Sequence, residues 1–116
     1  MTTYTKSKLS ASTNGKPVLV AATATAGTLI HTAVAGLTSY DEVWLWLVNN
    51  SAADCLVTIE YGDAVAGSNI QYMVLARDGL KCVLPGTVLN NGQTVRVFAA
   101  VTNVISAVGF VNNIVN

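Results

Sequence analysis

The chain has 116 residues, of which 52% are hydrophobic and 10% charged, and its six basic and six acidic side chains cancel. That length makes one domain around one core, and the absence of any Lys/Arg cluster interleaved with aromatics excludes a phosphate-tracking, nucleic-acid-binding surface. A neutral surface with so few charges repels itself weakly and favours association.

The opening MTTYTKSKLSASTNG is polar. It lacks the apolar stretch of a secretory leader, and no segment reaches the ~18 apolar residues of a membrane span. The chain is therefore expected to be made in the cytoplasm and to have no membrane contact. Residues 1–15 read as a polar N-terminal arm and residues 16–116 as the folded domain. From residue 16 onward Gly, Asn, Asp and Pro interrupt short runs rich in Val, Ile, Thr and aromatics, which predicts strands at 16–22, 28–34, 41–49, 54–61, 69–76, 80–84, 93–101 and 104–111. The stretch TLIHTAVAGL also places Leu29, Ala33 and Gly36 at helical spacing, but its Thr and Ile content favours a strand.

The connections carry turn residues. NNSAAD, between two strong strand signals, predicts an antiparallel hairpin of 41–49 with 54–61. RDG (77–79) and NNG (90–92) supply glycine for positive φ, Pro85-Gly86 breaks the chain, and VTN (101–103) joins the last two strands. About eight strands in this length give an all-β fold, an antiparallel β-sandwich or jelly-roll-like domain, with a closed barrel as the alternative.

Two of the strands are apolar on both parities. In DEVWLWLVN, Val43, Leu45 and Leu47 suit a core, which turns Trp44, Trp46 and Val48 outward, unless the two parities are inverted. In 104–111, Val104, Val108 and Phe110 oppose Ile105, Ala107 and Val111. A two-layer sandwich covers one face of each strand, so the surplus face needs either the chain's own arm or loops, or another protein. Tryptophan is enriched at binding hot spots. Covering two indoles, at roughly 200 Å² each and ~25 cal/mol/Å², contributes several kcal/mol. The arm either frays or orders along a neighbour; if it binds, Tyr4 and Leu9 are its expected anchors, with Lys6 and Lys8 available to meet acidic surface.

No reaction chemistry emerges. Asp41 and Glu42 open a strand, Asp54, Asp63 and Asp78 flank turns, and Glu60 lies on a parity expected to face water. Nothing in their spacing requires a glycosidase pair. GDAVAGSN reads as a hairpin connection and lacks the oxygen-ligand density of a calcium loop. His31 stands alone in its strand, without a neighbouring acid to orient it, and GxSxG and Gly-rich phosphate loops are absent. Cys55 and Cys82 each share the more apolar parity of a strand, which predicts two buried free thiols, with an inter-sheet disulfide as alternative. One histidine and two cysteines without CxxC spacing argue against a zinc site. The chain is expected to be no enzyme and to carry no cofactor or metal.

KPVLVAATATAGTLIHTA, DEVWLWLVNNSAADCLVTIEYGD and VLPGTVLNNGQTVRVFAAVTNVISAVGFVNNI together resemble small virion proteins of tailed bacteriophages, over about residues 16–114. The resemblance implies a capsid decoration (cement) protein. Such a protein is a β-sandwich unit on the head surface that binds the major capsid protein and neighbouring virion subunits and strengthens the shell. It also implies a homo-oligomer, with a trimer suited to quasi-three-fold positions. The alternatives are another virion role (head-fibre base, neck or tail component) and a carbohydrate-binding β-sandwich whose Trp44 and Trp46 stack on sugar rings.

Overall fold

The computed structural model describes residues 2–116. Nine strands and one short 3-10 turn account for the regular structure: β1 (Thr3–Lys8), β2 (Val18–Val20), β3 (Thr28–Thr32), β4 (Tyr40–Asn49), β5 (Cys55–Gly62), the turn Ala66–Ser68, β6 (Asn69–Val74), β7 (Lys81–Leu89), β8 (Thr94–Ala99) and β9 (Ile105–Val115). They form two antiparallel sheets, β1-β9-β4-β7 with β2 also on β9, and β3-β8-β5-β6. We call these the front and back sheets.

The pairing is nested. β5 pairs with β6, β4 with β7, β3 with β8, and β2 with β9. The chain is in effect one long hairpin, turned at β5–β6 and wrapped so that successive pairs alternate between sheets. This is the jelly-roll form of the β-sandwich. The expected fold class is therefore observed, and GDAVAGS is the hairpin connection it was read to be.

The expected hairpin of β4 with β5 is not formed: these strands lie in different sheets, and residues 50–54 cross between them. The buried Asn49 side chain holds that crossing. Its amide donates to Ala53 O at 2.8 Å and Val74 O at 3.0 Å, and its Oδ1 accepts from Ser51 N–H and Oγ–H. The same polar residues that signal a tight hairpin thus serve a turn between layers. NNG and VTN likewise link strands in different sheets, while Arg77 and Asn91 adopt the positive φ that such turns use. Nor does Pro85-Gly86 end its strand. β7 continues through it with register shifts against β4, since an edge strand with bulges tolerates the missing proline N–H.

Residues 3–8 of the expected arm form an edge strand on β9, in register from Thr3↔Val115 to Lys8↔Phe110; Met1 lies outside the described residues. All six side chains are exposed, and Lys6 and Lys8 guard the free edge against further strand pairing. Leu9 then turns into the core with 1% exposure. Next to it, Ala11 N–H donates to Ile30 O, Thr32 N–H to Ser10 Oγ, and Ser10 N–H to His31 Nδ1. Leu9 is a core residue, which corrects its reading as an anchor for a neighbour.

The inner faces meet as the alternation requires. Val43, Leu45, Leu47, Leu84, Ile105, Ala107 and Val111 of the front sheet pack against Val57, Ile59, Val74, Val95, Val97 and Ala99 of the back sheet, all buried.

Candidate protein-binding face

Among the described residues no third layer covers the front sheet's outer face, and its register arranges the side chains in rows. Glu42 lies opposite Asn112, which lies opposite Lys6; Trp44 lies opposite Phe110, which lies opposite Lys8; Trp46 lies opposite Val108. On the other flank Val88, Pro85 and Cys82 of β7 stand against Glu42, Trp44 and Trp46. Trp44 and Trp46 face outward, the first of the two parity assignments, and the register of β9 puts Val108 and Phe110 beside them.

Trp44, Trp46 and Phe110 form one cluster of near-parallel rings. Centroids lie 6.2, 6.1 and 6.0 Å apart, with interplanar angles of 20°, 12° and 27°. Such separations suit offset rings rather than a face-to-face column. The rings shield one another, and each is half-buried. Gly86 makes the arrangement possible. Its φ is +84°, and a Cβ there would stand 2.9 Å from Trp44 Cζ2, so the indole occupies space that any side chain on β7 would fill.

A polar margin borders the rings. Trp44 Nε1–H donates to Glu42 Oε1 at 2.7 Å, and Asn112 Nδ2–H donates to the same oxygen at 3.0 Å. These two bonds, the indole's first, hold the Glu42 carboxyl below its ordinary pKa. Lys6 Nζ sits over the Phe110 ring, 4.2 Å from its centroid. Sequence reading missed this margin, because Glu42, Asn112 and Lys6 become neighbours only through the β4–β9–β1 register. Tyr4, the remaining arm residue singled out, is 70% exposed at the end of the same face.

Elsewhere buried polar groups bond to one another and to the backbone. His31 is buried, not isolated: its Nε2 lies 2.7 Å from Asp41 Oδ2, ten positions along the chain. Ser10 N–H occupies Nδ1, which leaves Nε2 to carry the proton toward Asp41. Asp41 also accepts from Val34 N–H and from Asn113 Nδ2–H. With both ring nitrogens engaged, the pair ties residue 10, β3, β4 and β9 together.

Glu60 corrects another expectation. It is on the outward parity but only 1% exposed, because residues 22–27 lie across the back sheet. Gly27 N–H donates to Glu60 Oε1 at 2.6 Å and Thr25 Oγ–H to Oε2 at 2.7 Å, while Arg96 Nη1 donates to Gly27 O. A Cβ at Gly27 would meet the Val97 backbone at 2.7–2.9 Å, so only glycine lets the loop lie this close. Of the cysteines, Cys55 is buried as expected, whereas Cys82 is exposed, and both are free thiols. Bulges in β7 place Cys82 on the outer parity opposite Trp46, which parity counting from Leu80 and Leu84 could not anticipate.

A hollow of about 150 Å³ between β6 and the start of β7 is lined by Tyr72, Met73, Leu75, Asp78 and Lys81. Tyr72 first, and then the Asp78 carboxylate, raise the Lys81 pKa, and Lys81 Nζ lies 5.7 Å from the Tyr72 ring centroid. Among the described residues no group of His, Cys, Asp or Glu is placed to hold a metal ion, and no helix is long and apolar enough to cross a membrane. Comparison of the chain with protein-family models, with curated proteins and with solved structures finds no match.

Proposed function

We propose that this protein is a structural virion subunit of capsid decoration (cement) type, which binds the major capsid protein on the head surface through the front sheet and stiffens the shell. The observation that carries the reading is the uncovered aromatic face of Trp44, Trp46 and Phe110 on a rigid two-layer sandwich. Its size is adequate. Strands of 6, 11, 10 and 9 residues, ~4.8 Å apart and rising ~3.4 Å per residue, give a footprint of about 590 Å², approaching the roughly 800 Å² per partner of a standard interface. Aromatic side chains at the centre with a polar margin follow the usual anatomy of such an interface. The jelly roll serves capsid and lectin domains alike, so the fold is compatible with the reading but does not select it.

The test is reconstitution on capsids that lack the protein. Saturable co-sedimentation with a higher temperature of shell disruption is the expected result. Binding without added resistance refutes the cement role in favour of a fibre or display component, and absence of binding refutes the capsid reading. Trp44→Ala with Trp46→Ala is expected to lower occupancy while the protein stays folded.

A further inference from the structure

Glu42 carries a charge that no described residue neutralises. Among the described residues no lysine or arginine pairs with a carboxylate, and both neighbours of Glu42, the Trp44 indole and the Asn112 amide, are uncharged donors that bond the same oxygen, Oε1. Oε2 receives no hydrogen bond from the described chain. A carboxylate is thus fixed at the rim of three π-systems with one oxygen free, and its orientation is set before any partner arrives.

The cluster already holds a cation of its own, since Lys6 Nζ rests over Phe110. Lys6 approaches from the β1 side, however, with Asn112 between it and Glu42 in the row. Lys8 likewise ends the Trp44–Phe110 row on that side, whereas on the indole flank β7 sets apolar Val88 and Pro85 beside Glu42 and Trp44 and contributes no basic side chain to either row.

We propose that this flank receives an arginine side chain from the partner protein, its guanidinium stacked on the indoles and donating to Glu42 Oε2. This rests on the reading of the front sheet as a docking face and names the chemistry at its centre. The guanidinium is the complement on each count. It is planar, so it stacks on an aromatic face; it is weakly hydrated, so it gives up water at low cost; and its donors can meet a carboxylate side-on while it stacks. Tryptophan is the ring with the strongest attraction for a cation. An apolar partner would leave Glu42 covered and unpaired, a cost that an arginine removes.

Binding of the single side chain is read directly, without capsids. Uniformly nitrogen-15-labelled protein is titrated with Nα-acetyl-arginine amide, and in parallel with the citrulline analogue, which has nearly the same shape and no charge. The expected result is saturable movement of the Trp44 and Trp46 indole N–H signals with arginine, with Kd on the order of 1–10 mM. Citrulline is expected to give none, and Glu42→Gln, which keeps an acceptor for Trp44, to weaken the arginine response by at least about threefold. No response to arginine, an equal response to citrulline, or an unchanged response in Glu42→Gln overturns the proposal. If any of these occurs while the protein still binds capsids saturably, the docking face stands and its arginine is refuted.

Discussion

Replacing Leu9 by alanine separates an arm from an integral part of the fold. Leu9 follows the fully exposed strand β1, yet is itself 1% exposed in the core cluster with Ile30, Val43 and Val111. Removing a buried leucine side chain costs the transfer free energy of its lost carbons plus the cavity left behind, about 2–5 kcal/mol in well-packed cores. For a chain of 116 residues the unfolding entropy near the midpoint is about 0.24 kcal/mol/K, so the melting temperature should fall by roughly 8–20 °C. Urea unfolding followed by circular dichroism measures the change, with an unaltered m-value showing that the two end states are preserved. Tyr4→Ala is the control on the same segment. Its side chain is 70% exposed, and the expected change is under about 0.5 kcal/mol. Equal, small effects of both substitutions would refute the integration of residues 3–12 into the sandwich.

The remaining predictions concern the two sheets' outer faces. Glu60→Ala leaves the buried Gly27 N–H without an acceptor and should cost about 2–3 kcal/mol in urea unfolding, with Glu60→Gln costing less. Gly86→Ala brings a Cβ within 2.9 Å of Trp44 at a φ of +84°, and should destabilise by about 1–3 kcal/mol while shifting tryptophan emission. Glu42 has a folded-state pKa below its ordinary 4.5, so its bond to the Trp44 indole contributes above the unfolded pKa and is lost as pH falls through the folded value. Wild-type indole emission should therefore change on acidification below that ordinary value, and Glu42→Gln should abolish the transition.

What was legible in the sequence followed strict alternation. Residues 41–49 separate into two side-chain sets that the strand keeps, and the aliphatic set Val43, Leu45 and Leu47 is the inner one, because a long central strand leaves no freedom to slip. Pairing was less legible. The turn residues of NNSAAD suit a hairpin and a layer crossing equally, and only the Asn49 side chain, bonded to Val74 O across the chain, decides between them. Edge strands were hardest. β1 has no buried side chain to betray it, and the bulges of β7 move Cys82 off the parity that its neighbours suggest. Buried polar residues failed for a related reason: Glu60 looks solvated until residues 22–27 cover it, and His31 looks solitary until β4 brings Asp41 beside it. The Glu42–Asn112–Lys6 row is likewise a product of register between strands far apart in the chain.

Cys82 offers a built-in reporter for the central claim, since it is the exposed thiol and stands on the proposed docking face beside Trp46, while Cys55 is buried in the core. The decisive measurement is the rate of Cys82 alkylation, followed peptide by peptide by mass spectrometry, in free protein and in protein bound to capsids. Docking through the front sheet predicts rapid labelling when free and strong protection when bound. Saturable binding with Cys82 labelled as fast as before would contradict it.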